Sequence, residues 1–284
     1  MGDRQNSEYV LFKFEEDGEI DEAQLVVENG TLVIDNYGDV NDHEHNYHKV
    51  SVEGMSKLKT LKTLVLSRFN LENFILNNPI PKSVADLHLI NCRFNDLSCI
   101  HYLTQLESFT FTYLRGELES YKFHFQPSDY TPFQSLKALG LSGVLLRKIS
   151  SFYGLENLER LYLIGNMIPK MQNLDLFSKL EELHLQHNII EKIENLDNVV
   201  QLKRLYINQN RITSFEGLED LENLEYLDLN DNLFFQANKY QMPLREVKEL
   251  FGHLKKLIML NGHLYPDNDY YTFERRGKNF NTWV

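Results

Sequence analysis

Residues 158–233 repeat one 22-residue unit three and a half times, which confines the chain to an open stack of coils. The first copy reads Leu158-Glu-Arg-Leu161-Tyr-Leu163-Ile-Gly-Asn166, and the same frame restarts at Leu180, Leu202 and Leu224. Asn166, Asn188, Asn210 and Asn232 fall in one column without slippage. A period that keeps leucine at three positions and asparagine at a fourth describes a solenoid, in which each coil packs only on its neighbours.

Each position of the unit has a physical task. In Leu-x-x-Leu-x-Leu the last three residues alternate as in a half-buried strand, so Leu161 and Leu163 face the core while Tyr162 faces out. Strands of successive coils then stack in parallel about 4.8 Å apart. The asparagine stands where the chain leaves the strand, and its amide, which both donates and accepts, satisfies backbone groups at that turn. Met167-Ile168, Ile189-Ile190 and Ile212, followed by Met171, Ile193 and Phe215, refill the core on the return path. Leu174, Leu196 and Leu218 close each coil.

The phrase Leu202-Lys-Arg-Leu-Tyr-Ile-Asn-Gln-Asn-Arg-Ile-Thr-Ser-Phe-Glu-Gly-Leu-Glu-Asp-Leu-Glu-Asn223 is similar to the unit of intracellular leucine-rich repeat proteins of the 22-residue class. The resemblance covers roughly residues 30 to 264. It implies an α/β fold: a leucine-rich repeat solenoid with a curved parallel β-sheet on its concave face, short helical or irregular convex segments, and a cap at each end. The class includes a regulatory subunit of protein phosphatase 1, a spliceosomal particle protein and an axonemal dynein light chain. Its members share a fold that hosts many functions, so the resemblance names no partner.

Outside the strict repeat, residues 1–30 read as an N-terminal cap with a β-hairpin, because Asn29-Gly30 lies between Leu25-Val26-Val27 and Leu32-Val33-Ile34. Residues 31–233 hold about eight repeats, with insertions near 40–50 and 114–132. Leu32-x-Ile34 matches a first repeat strand, and the frame continues through Leu61, Val84, Leu106 and Leu136. Cys92 stands in the asparagine column as a small buried thiol, and Val144 breaks the column one coil before Asn166. Residues 234–265 read as a C-terminal cap, with a helix between Pro243 and Gly252 and a last strand ending at Asn261-Gly262. Residues 266–284 form a tail with five aromatics, Tyr270, Tyr271, Phe273, Phe280 and Trp283, which either folds back on the cap or docks elsewhere.

The chain offers little chemistry. It has no Gly-rich phosphate loop, Gly-x-Ser-x-Gly elbow, His-Glu-x-x-His or Cys-x-x-Cys, so no catalytic residue, no metal and no cofactor is expected. His43, His45 and His48 lie near two carboxylates but lack the framing of a zinc motif, and are read as a metal-free loop. His184 and His187 share a strand region without the helical spacing of a zinc site. Two cysteines are too few for a disulfide framework. With no long apolar run and no secretory pattern, and with Asn6 and a late Ser7 spoiling a myristoylation signal after Met1-Gly2, a cytoplasmic or nuclear location is expected.

What remains is a surface. The outward strand positions form two columns, Tyr162, His184, Tyr206 and Asp228 beside Arg160, Glu182, Arg204 and Tyr226. Tyr and Arg are the residue types that dominate interface hot spots, so these eight residues are the expected recognition patch. The chain carries 41 acidic and 29 basic residues, a net charge of −12. That balance disfavours direct nucleic-acid or membrane contact and favours a protein partner with a basic surface. The expected function is a non-catalytic interaction module or scaffold subunit; the alternatives are a phosphatase regulatory subunit and a protein subunit of a ribonucleoprotein or axonemal assembly.

Overall fold

The structure is a computed structural model that describes residues 8–16, 19–35, 49–94, 96–113, 132–149, 152, 154–234, 239–265 and 270–274. The His43, His45 and His48 loop, the Glu117–Tyr130 insertion and the tail aromatics Phe280 and Trp283 lie outside the described residues.

Strand β1 (Tyr9–Glu16) pairs antiparallel with β2 (Glu19–Val26), and β3 (Thr31–Asp35) opens a different sheet. Strand β4 (Lys49–Glu53) then returns to pair with the free side of β1. Asn29-Gly30 does make a tight turn, closed by Glu28 and Thr31, but the pairing stops there. The hairpin therefore lies one strand earlier than the Asn-Gly signal implies, between β1 and β2, because Leu32 and Ile34 are drawn into the solenoid core. The chain continues with β5 (Thr63–Ser67), helix α1 (Leu71–Asn77), β6 (Asp86–Ile90), β7 (Ser108–Thr112) and β8 (Ala138–Ser142). The short strands β9 (Arg160–Tyr162), β10 (Glu182–His184), β11 (Arg204–Tyr206) and β12 (Tyr226–Asp228) follow.

From β3 to β12 every pairing is parallel and in register, so each leucine of one strand meets a core residue of the next. Leu64, Leu87, Phe109, Leu139, Leu161, Leu183, Leu205 and Leu227 form one fully buried row. Each contributes about 1.5–3 kcal/mol relative to an exposed side chain. Among the described residues the sheet has 11 strands. Between β3 and β12 the described return segments are turns and 3-10 pieces, with α1 the one α-helix. Its amide at Asn73 is capped by Asn70 Oδ1, and it buries Leu71, Phe74 and Ile75.

The asparagine column is a ladder inside the turn. Asn210 Nδ2 donates to Leu185 O (2.9 Å) and Ile207 O (3.0 Å), and its Oδ1 accepts from Ile190 N (3.0 Å). Asn188 and Asn232 repeat this pattern one coil away, and Asn166 accepts from both Val144 N and Leu146 N. Each amide thus links two coils where no strand pairing remains. Cys92 does part of the same work, its thiol donating weakly to Leu66 O at 3.3 Å; burial pushes that thiol up to about 12. The residue before the column, Arg68, Asn91, Gly143, Gly165, His187, Gln209 or Asp231, takes φ between 50° and 69°. Only two of these are glycine, and at Arg68, Asn91, His187 and Gln209 the N–H donates to a carbonyl of the next coil, which offsets the cost of the left-handed backbone.

At the C-terminal end β13 (Lys239–Pro243) leads into α2 (Leu244–Phe251), with Pro243 and Gly252 at its two ends as their residue types require. Strand β14 (Met259–Leu260) adds to β12, and the Asn261-Gly262 turn reverses it into β15 (His263–Leu264). Tail residues 270–274 fold back as β16 (Tyr270–Glu274) against β13, and Asn261 Nδ2 donates to Thr272 O. Among the described residues no helix is long and apolar enough to cross a membrane.

Candidate functional site

All eight expected surface residues sit on β9 to β12, in register: Arg160, Glu182, Arg204 and Tyr226 in one row, Tyr162, His184, Tyr206 and Asp228 in the other. The Leu at the centre of each strand is fully buried and its two neighbours are not, so strand alternation alone points these side chains outward.

Four of the rings form a continuous stack across the strands. The centroids of Tyr162 and His184 are 4.6 Å apart, those of His184 and Tyr206 are 4.1 Å apart and nearly coplanar at 14°, and those of Tyr206 and Tyr226 are 4.6 Å apart. Tyr226 belongs to the other row and reaches diagonally across, because Asp228 holds the position opposite Tyr206. Column counting alone separates Tyr226 from the stack. Strand spacing close to ring-stacking distance makes a row of planar side chains self-supporting: the rings are both cross-strand neighbours and a preformed surface.

His184 Nε2 lies 3.0 Å from Glu182 Oε1, and Gln186 Nε2 lies 3.1 Å from His184 Nδ1. These contacts fit one neutral tautomer, with Nε2–H donating to the carboxylate and Nδ1 accepting from the amide. Burial holds His184 below the usual histidine range and outweighs the opposing pull of Glu182. Burial also lowers His88 and His187 and raises the Asp228 carboxyl, whose Oδ1 accepts from Asn230 N at 3.1 Å. The unfolded chain therefore takes protons on these histidines first as pH falls through about 6.5, and stability should decline below that pH by at most about 1.4 kcal/mol per pH unit for each. His184→Phe keeps a ring in the stack and should flatten the fall in melting temperature between neutral and mildly acidic buffer.

Arg160 and Arg204 are exposed and, among the described residues, have no hydrogen bond or ion pair through their side chains. Two of the neighbouring carboxylates are engaged elsewhere: Glu182 with His184, and Glu181 with Lys203 at 2.9 Å. Two features of the face escaped the repeat argument. Strands β5 to β7 carry a polar network, Thr63 Oγ1 to Asp86 Oδ2 (3.2 Å) and His88 Nδ1 to Thr110 Oγ1 (2.6 Å), visible in the sequence only once the register is known. Beyond β12, Met259 stands beside Tyr226 in register and Leu264 beside Met259, and Leu264, 54% exposed, extends the face with apolar surface.

The model for "Leucine Rich repeats (2 copies)" matches residues 200–236. No curated protein matches the sequence. Among solved structures the chain is similar to internalin C2 of Listeria monocytogenes, at 21% identity over 74% of this chain and 84% of that one, with a TM-score of 0.53. An internalin, InlF, of the same organism gives 20% identity over 83% and 69%, with a TM-score of 0.53. A TLR13–ssRNA13 complex gives 23% identity and a TM-score of 0.54; 73% of this chain matches 29% of that one. With the parallel sheet of β3 to β12, these likenesses make the fold a leucine-rich repeat solenoid.

Proposed function

We propose that this protein is a non-catalytic interaction module that holds a protein partner against β9 to β12, as a subunit of a larger assembly. The supporting observation is the four-ring stack flanked by two arginines that have no ion pair among the described residues. A surface fixed before binding loses little side-chain entropy on binding, and its Tyr and Arg content is that of a hot spot. The strict 22-residue spacing supports membership of the class it resembles, and with it a cytoplasmic or nuclear location. The net charge of −12 favours encounter with a protein whose surface is basic overall.

Direct RNA contact is disfavoured by geometry as well as charge. The TLR13 relative was solved with single-stranded RNA. In the present stack the inner rings His184 and Tyr206 have neighbouring rings on both sides, so a base would find an open face only at the two ends, Tyr162 and Tyr226, and not the run of faces a stacking platform needs.

The test is affinity capture from cell lysate on the full chain and on Tyr206→Ala, with bound proteins identified by mass spectrometry. A protein held by the first and lost from the second is expected. A phosphatase catalytic subunit or a ribonucleoprotein component among the Tyr206-dependent proteins would select one of the alternative assemblies. Identical capture by both chains would refute a role for the ring stack.

A further inference from the structure

Resting on that reading, we infer the chemistry of what touches the stack: an acidic segment of the partner, with carboxylates received by Arg160 and Arg204 and apolar groups lying toward Met259 and Leu264.

The inference comes from what the patch leaves unspent. Glu182 stands between the two arginines in register, yet its carboxylate turns to His184 Nε2 at 3.0 Å. Glu181 is held by Lys203, and Asp228 is recessed with an oxygen on Asn230 N. The guanidinium groups of Arg160 and Arg204 remain, carried on backbone positions two strand steps and so about 9.6 Å apart. Each is a fork of donors shaped for a carboxylate. The rings reinforce this sign. The electron-rich faces of the inner rings, His184 and Tyr206, are turned to neighbouring rings, and outward these rings present edges, which carry the positive end of the ring quadrupole, and a Tyr hydroxyl that can donate.

The local chemistry thus runs against the net charge of −12. The two act at different distances. In physiological salt, fields from the rest of the surface fade over about 8 Å, and groups in contact decide which segment seats on the patch. Arg147 and Arg211 are also exposed and have no ion pair among the described residues, but lie outside the strands, and so serve as controls.

The experiment uses the full chain and two fluorescein-labelled peptides of equal length, one built of Glu, Leu and Ser, the other with every Glu replaced by Lys, followed by anisotropy. The Glu peptide should bind, weaken with added salt, and lose about tenfold in affinity with Arg160→Ala or with Arg204→Ala, while Arg211→Ala leaves it unchanged. Melting curves establish that the variants are folded. Tighter binding of the Lys peptide, binding indifferent to both arginines, or no Glu-peptide binding at millimolar concentration overturns the inference. If a captured protein still depends on Tyr206 in that case, the interaction module stands and only the chemistry of its partner is wrong. A labelled oligouridylate strand bound in preference to the Glu peptide, and lost with the same two variants, would replace the acidic segment with nucleic acid.

Discussion

Replacing Asn210 with alanine is expected to lower stability by up to about 3 kcal/mol, and the melting temperature by several degrees. Asn210 is only 6% exposed, and its amide is the partner of Ile190 N–H, Leu185 O and Ile207 O. Truncation strands the Ile190 N–H in a site closed to water, at about 1–3 kcal/mol for an orphaned group. Leu185 O and Ile207 O each keep one amide, from Asn188 Nδ2 and Asn232 Nδ2. Asn223 makes its bonds at the surface, Nδ2 to Val200 O at 2.7 Å and Oδ1 from Lys256 Nζ at 2.6 Å, where water can replace both, and Asn223→Ala should cost less than about 0.5 kcal/mol. Equal losses from the two replacements, in thermal melts, would show that the column does not bind coil to coil.

Gly217→Ala is the second large effect, expected at about 3 kcal/mol or more. Gly217 has φ +89°, and an added Cβ would overlap the carbonyl oxygen of Ile193. Asn173 and Asn195 hold the same position in the two preceding coils, with φ 57° and 61°, and their amides donate to Ile149 O and Met171 O. Where glycine replaces asparagine, the carbonyl of the previous coil occupies the room the side chain would need. Gly217→Asn should therefore be milder than Gly217→Ala, since its amide can bond the carbonyl that the methyl group only displaces. Gly262 has φ +80° but nothing within 4 Å of an added Cβ, so Gly262→Ala should show only the left-handed backbone cost of about 1–2 kcal/mol. A Gly262 variant that melts lower than the Gly217 variant would contradict this packing account.

Legibility followed the strength of the period. From Leu158 to Asn232 the strands, their alternation and the asparagine column could be placed residue by residue, because one local pattern recurs under one packing constraint. Helix α2 was legible for a different reason: Pro243 and Gly252 act through backbone chemistry that needs no tertiary context. Features decided by contacts distant in sequence were not. Lys49–Glu53 falls at the end of an apparent insertion, and only its pairing with β1 makes it a strand. The seven-residue α1 is too short for periodicity to register. The tail left two fates open, and residues 270–274 take the first, pairing with β13. At the candidate site the two rows were visible, but the diagonal step of Tyr226, the neutral tautomer of His184 and the unspent arginines all depend on side-chain directions.

The central claim is that asparagines face inward to hold the solenoid together while tyrosines face outward to bind. The most direct measurement is a binding isotherm for a captured partner with Tyr206→Ala and with Asn210→Ala, at a temperature where both are folded. Tyr206→Ala removes two ring contacts and should cost about 1 kcal/mol of stability, yet weaken binding by about 2 kcal/mol or more. Asn210→Ala should bind nearly as the parent does, despite its lower melting temperature. A Tyr206 variant that melts early but binds normally, beside an Asn210 variant that loses the partner while still folded, would contradict the assignment of the two faces.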